Sequence, residues 1–162
     1  MLRRFAFTVH DTPKPAARPR FARLPGGKVH TYIPTGDQEN RNSIRDAFLS
    51  FVATVSHTIL PFEPLQSPLR LTVTAWLPMP KSIPKKRREA AMPSKRPDLD
   101  NFIKQVEDAL NHYAFVDDAQ IVTIIARKRY VGTLQDSGFV PGLSTARITS
   151  PCWEVCLEEI EA

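Results

Sequence analysis

Residues 95–118 read KRPDLDNFIKQVEDALNHYAFVDD, and the fold is decided there. A basic pair, Lys95 and Arg96, precedes Pro97, which biases Arg96 away from helix and favours a helix start just beyond it. Asp98 and Asp100 follow, with one residue between them. Phe102, Ile103, Val106, Ala109 and Leu110 then recur at helical spacing, while Asp100, Lys104, Glu107, Asp108 and Asn111 fall on the other face. Tyr113-Ala114-Phe115-Val116 is a short apolar return that delivers a second acidic pair, Asp117 and Asp118. The spacing predicts a helix over 99–111, roughly 18 Å long. Residues 112–118, if extended, cover roughly 23 Å. The return is therefore long enough to run back along the helix and set Asp117 or Asp118 beside Asp98 and Asp100.

Carboxylates brought that close repel one another unless a cation lies between them. Oxygen-only ligands favour a hard ion, and magnesium needs few carboxylates because it keeps several waters. Such a site serves phosphoryl chemistry: it polarises a phosphate oxygen, activates a water and stabilises the leaving oxygen. Lys104, one helical turn from Asp100, adds an ammonium at the rim. Each acidic pair alone also has an ordinary structural reading. An Asp at a helix start caps it and suits its dipole, and an Asp-Asp pair before a strand is a common turn. Both pairs in one helix-and-return unit, with Lys104 and basic flanks, favour the metal reading.

The segments RPDLDNFIKQVEDALN (96–111) and FVDDAQIV (115–122) resemble the RusA family of Holliday junction resolvases. That family's core motif is a D-L-D-N helix start, a lysine four residues after the second Asp, and a D-D-[AS]-Q strand start. The early segment KPAARPRFAR (14–23) is similar to the proline-and-arginine loop of many members. The resemblance implies a magnesium-dependent endonuclease, with manganese as a substitute, that cuts four-way DNA junctions as a homodimer. It points to Asp98, Asp100 and Asp118 as catalytic metal ligands, to Asp117 as a weaker neighbour, and to Lys104 as a catalytic or phosphate-contacting base. A homodimer also suits the substrate, since a junction offers two equivalent strands to a two-fold enzyme.

Bulk properties fit that expectation without demanding it. The 162 residues suffice for one domain with its own core. The net charge of +5 leans toward a polyanionic partner. Fifteen prolines against six glycines indicate stiff loops rather than disorder. Cys152 and Cys156, four apart on an alternating stretch, read as buried thiols of a reducing compartment. They and the scattered His10, His30, His57 and His112 show no zinc spacing. No apolar run is long enough to span a bilayer, and no signal peptide is expected at the N-terminus, so the expected location is the cytoplasm.

Around the acidic helix the remaining elements fall into place. Leu2 to Val9 reads as a strand. The basic loop 11–28 cannot be helix, given Pro13, Pro15 and Pro19. It is either a solvated connector or a stiff arm whose Lys14, Arg18 and Arg20 grip a phosphate backbone. Phe21 among these charges either stacks on a base or anchors the loop. A turn at Gly26-Gly27 leads to a short strand over 28–33. A helix over about 37–60 carries the stripe Ile44, Phe48, Phe51, Val52, Val55, with Arg41 and Arg45 on its polar side, where they are either solvated, the favoured reading, or phosphate-facing. LRLTVTAWL (69–77) alternates as a strand.

The second basic loop, 78–97, holds Lys81, Lys85, Lys86, Arg87, Arg88, Lys95 and Arg96 against Glu89 alone. Loops of that length are usually functional or disordered. This one feeds into the carboxylates, which favours a DNA-gripping role; a brief helix over 85–92 is compatible with it. Strands follow over 119–131, ending in the candidate backbone contacts Arg127, Lys128 and Arg129, and over 151–160. The expected fold is therefore α/β of the α+β type, a single domain over 1–162. It has a mixed sheet of four to five strands, several paired as hairpins, and two main helices. Two other functions remain open: a nuclease for other branched DNA, and a non-catalytic junction-binding accessory protein.

Overall fold

The computed structural model describes residues 2–17, 20–32, 35–55, 62–133 and 147–161. Four strands form the main sheet: β1 (Arg4–Val9), β4 (Leu69–Leu77), β5 (Ile121–Tyr130) and β6 (Cys152–Glu159). Two further strands, β2 (Arg20–Arg23) and β3 (Val29–Tyr32), pair with each other in a separate two-stranded sheet. The helices are α1 (Thr35–Val55) and α2 (Leu99–Leu110). The mixed sheet and two helices agree with the expected architecture. The strand order is β1-β6-β4-β5, with β4 antiparallel to β6 and parallel to β5.

The expected hairpins are confined to β2–β3. In the main sheet no hairpin joins strands that follow one another in the chain: β6 lies between β1 and β4, β4 lies between β5 and β6, and β4 runs parallel to β5. The parallel pair β4–β5 requires a crossover, and α2 lies in it. Of α1, the last expected turn falls outside the described residues. The brief helix expected over 85–92 is a single 3-10 turn, Lys85–Arg87.

The core lies between one face of the sheet and the two helices. Strand alternation puts Phe7, Val155 and Val73 side by side across three strands, and Val9, Trp153 and Ala75 in the next row. All six are buried. From α1, Phe48 meets Phe5, Phe7 and Phe62 at ring distances of 5.9, 5.7 and 5.4 Å. From α2, Phe102 meets Trp153 edge-on at 5.7 Å. Phe102 is fully buried, so its truncation to Ala would cost about 3–5 kcal/mol and loosen α2. The opposite face of β6 carries Cys152, Glu154 and Cys156, and both cysteines are buried free thiols, as their spacing suggests.

The segment after α2 departs from the expected extended return. His112 adopts a left-handed conformation (φ 65°), and its N–H donates to the Phe115 carbonyl at 2.8 Å. Ala114 and Phe115 are fully buried. The Leu65 N–H donates to the Ala114 carbonyl (2.9 Å), and the Val116 N–H to that of Leu65 (3.2 Å). Burial of those two side chains, together with this backbone pairing, folds the chain in at the C-terminal end of α2. It does not run back along the helix. A 3-10 turn, Asp118–Gln120, then opens β5.

Candidate active site

Asp98 is the N-cap residue of α2, with extended backbone (φ −74°, ψ 151°), yet its carboxylate makes no capping hydrogen bond. Asp100, in the first turn, has only a 3.4 Å contact from the Asn101 amide. The ordinary capping explanation therefore fails for this pair, whose oxygens stay uncommitted. Asp98 lines a cleft of about 550 Å³ with Arg96, Pro97 and Asn101.

Asp117 behaves in the opposite way. Its carboxylate accepts from the Ala119 N–H at 2.8 Å, and the Gln120 side chain accepts from the Asp117 N–H at 2.9 Å. This is a capping box closing the 3-10 turn. Both members of the second pair are exposed, but Asp117 is committed as a structural cap.

The expected convergence of both pairs is not met within one chain. Among the described residues, no three His, Cys, Asp or Glu side chains come together to hold a metal. Lys128, eighth residue of β5, donates through Nζ to the Lys95 and Pro97 carbonyls, each at 2.8 Å. The start of α2 is thereby fixed at the far end of β5, while Asp118 precedes that strand's first residue. Seven strand steps separate those ends by roughly 23 Å. Asp118 instead lies within electrostatic reach of Glu107, near the C-terminal end of α2. Burial, then Asp118 and Asp108, push the Glu107 carboxyl above its usual range, with Lys104 opposing. Asp100, Lys104 and Glu107 share one helix face at i, i+4, i+7, so an ionic stripe joins the two acidic ends.

Lys104 is held by Asp108 at 3.3 Å, one turn further on. The same Asp108 accepts from Arg41 at 2.9 Å, and Arg41 also reaches Asp37 at 2.9 Å. Asp37 in turn accepts from the Ala17 N–H at 2.7 Å. Asn40 donates to the Lys14 carbonyl at 3.0 Å, and the Ala16 N–H donates to the Asn101 carbonyl at 2.9 Å. These bonds clamp the first basic arm against the opening turn of α2. The expectation of a solvated Arg41 is therefore wrong. The buried Asp37 carboxylate draws it inward, and removing either member of such a pair costs about 3–5 kcal/mol. Arg45 lies over the Tyr113 ring, 5.0 Å from its centre, rather than in solvent.

The candidate DNA contacts divide by commitment. Lys14, Lys85, Lys86, Arg87, Lys95 and Arg96 are exposed. Arg88 spends its Nε on the Ile83 carbonyl at 3.0 Å and holds the second loop together. Lys128, expected as a backbone contact, is the pin just described. Arg18 lies outside the described residues, and Arg20 is described only as part of β2. Sequence reasoning missed Glu107 and Asp108 as site neighbours. Their position on the polar face with Lys104 was the available signal.

For a hard divalent cation the donor set fits in part. Asp98 and Asp100 offer uncommitted oxygens from one turn, and magnesium is commonly held by one or two carboxylates plus substrate phosphate.

An α+β sheet that presents free carboxylates in a cationic surround defines a class of acidic-site, polyanion-facing proteins. Residues 11–135 match the family model for Endodeoxyribonuclease RusA, and the chain belongs to that family. This places it among endonucleases that act on DNA. It is also similar to the uncharacterized protein YqaN of Bacillus subtilis (strain 168), with 35% identity over 131 residues, 76% of this chain and 86% of that protein. Among the described residues, no helix is long and apolar enough to cross a membrane.

Proposed function

We propose that the protein is a magnesium-dependent endonuclease that resolves four-way DNA junctions by paired symmetric nicks, with manganese able to substitute. The observation that carries this reading is the uncommitted state of Asp98 and Asp100 at the head of α2, within a family of DNA endonucleases. Asp98, Asp100 and Asp118 would hold the metal, which when bound supplies charge neutralisation at the scissile phosphate and a more acidic water. Arg96, Lys95 and the 85–87 cluster bind and orient the DNA backbone. Lys104, steadied by Asp108, sets a positive charge beside the charge that develops on the phosphate.

The same reading takes the active form as a homodimer. β5 is an edge strand whose outer side pairs with no strand among the described residues, and its Val122 and Ile124 are exposed apolar side chains. Antiparallel pairing of two β5 edges about a two-fold axis brings the start of one strand toward the end of the other. The partner subunit's Asp118 then approaches Asp98 and Asp100, which completes the ligand set that one chain leaves open.

The test is a labelled synthetic junction analysed on a denaturing gel with magnesium and with a chelator. Symmetric nicks that need the metal are expected. Asp98→Asn and Asp100→Asn should each cut at least about a hundredfold more slowly, since several kcal/mol of transition-state stabilisation are lost. Either variant cutting at the wild-type rate sinks the assignment. Equal junction binding with and without magnesium, and no cutting, would instead support the accessory-protein reading. Cutting of flaps in preference to four-way junctions would support the other nuclease.

A further inference from the structure

Among the described residues, the β2–β3 ribbon exposes apolar side chains and pairs with no strand of the main sheet. Its turn is well made: Gly26 and Gly27 take positive φ (88° and 77°), and the Leu24 N–H donates to the Lys28 carbonyl at 2.8 Å. Yet Phe21 is 73% exposed and Val29 60% exposed, and they share one face of the ribbon. Tyr32, also exposed, stacks against His30 on the other face. An isolated two-stranded ribbon is marginal in water, and exposed aromatic side chains on one call for a partner. The ribbon's charge says which kind. Between Asp11 and Asp37 the chain has no acidic residue, and it carries Lys14, Arg18, Arg20, Arg23 and Lys28.

The base of the ribbon is fixed next to the candidate active site. On one side Ala16 and Ala17 are bonded to Asn101 and Asp37, and on the other Asp37 itself opens α1. Phe21 follows Ala17 by four residues, so it lies at most about 14 Å away. At about 3.4 Å per nucleotide along one strand, that is a reach of about four nucleotides from DNA lying beside Ala17 and the first turn of α2. In the major groove of an intact duplex a phenyl ring finds little beyond a thymine methyl. At a branch point it finds the open face of an unstacked base.

We propose that the β2–β3 ribbon is a DNA finger that stacks Phe21 on a base exposed at the branch, so that it distinguishes branched DNA from continuous duplex. This rests on the nuclease reading for its substrate and goes beyond it in naming the discriminating residue. The full-length protein is mixed, in chelator, with a four-way junction carrying 2-aminopurine beside the branch, and with a linear duplex of matched sequence. Wild type should change the 2-aminopurine fluorescence of the junction and leave that of the duplex unaltered. Phe21→Ala should abolish that change and weaken junction binding about 5- to 160-fold, the range base–aromatic stacking supplies, while duplex binding stays unchanged. Phe21→Trp should restore both. The ring is exposed, so its loss does not empty the core.

An unchanged signal and an unchanged junction preference in Phe21→Ala overturn the finger. So does dissociation of a dimer by that variant in sedimentation, which would make the ribbon a contact with a second copy. Wild type that gives the fluorescence signal but never cuts in magnesium overturns only the nuclease reading.

Discussion

Asp98 and Asp117 are the same residue type in the same kind of place. Both are N-cap residues with extended backbone, one ahead of α2 and one ahead of the 3-10 turn. They use their carboxylates differently: Asp117 bonds the Ala119 N–H, and Asp98 bonds no helix N–H. Stability and activity should therefore separate between them. Asp117→Ala should lose about 0.5–2 kcal/mol in urea denaturation, the usual cost of a lost cap. Asp98→Ala should leave the denaturation midpoint within experimental error and remove nicking. The reverse pattern would mean that the roles are exchanged. The residue types and their spacing were legible from the chain, because a motif is local. The commitment of each oxygen was not, since it depends on which backbone N–H groups the folded turn happens to point inward.

At the scale of elements, α2 is held by three different means: the Phe102–Trp153 contact from below, the Lys128 pin at its head, and the arm clamped by Asp37, Arg41 and Asn40. The helix itself was legible from its 3.6-residue pattern, and so was β4 from its alternation. The roles of Lys128 and Arg41 were not. A basic residue at a strand end or on a helix flank looks solvated until a partner 31 or 67 residues away is brought to it. The return after α2 was not legible for a related reason: chain length permits a long run, and burial of Ala114 and Phe115 chooses a short one. Lys86 and Lys128 should then differ in salt dependence. Lys86→Ala should reduce the slope of log K against log salt for junction binding by about 0.9, the loss of one phosphate contact. Lys128→Met should leave the slope unchanged and slow nicking, because it frees the turn that carries Asp98. A slope change for Lys128→Met would show that its ammonium reaches DNA after all.

At the scale of the whole molecule, the first and last strands are locked together at one edge. Arg3 grips Glu159 through 3.0 and 3.1 Å contacts, and Ser67 adds a 2.7 Å hydrogen bond. The Arg3 hydrogen bond, with help from Ser67, holds the Glu159 carboxyl down at about 2. A carboxylate depressed on folding stabilises the protein above its unfolded value near 4.5, and that contribution is lost as pH falls toward 2. The stability gap between wild type and Glu159→Gln should accordingly be full at pH 7 and close across that acid window, as followed by thermal denaturation. A gap independent of pH would remove the ionic explanation.

The opposite edge of the sheet is β5. A single chain sets its free carboxylates near opposite ends of this strand, and pairing across a two-fold axis is proposed to reunite them. Asp100→Asn and Asp118→Asn proteins, each inactive alone, can be mixed and allowed to exchange subunits before a labelled junction is added with magnesium. A mixed dimer with sites shared between subunits keeps one intact ligand set, so single-strand nicking should reappear. If the mixture stays as inactive as its components while subunit exchange is demonstrated, the acidic residues do not meet across the dimer.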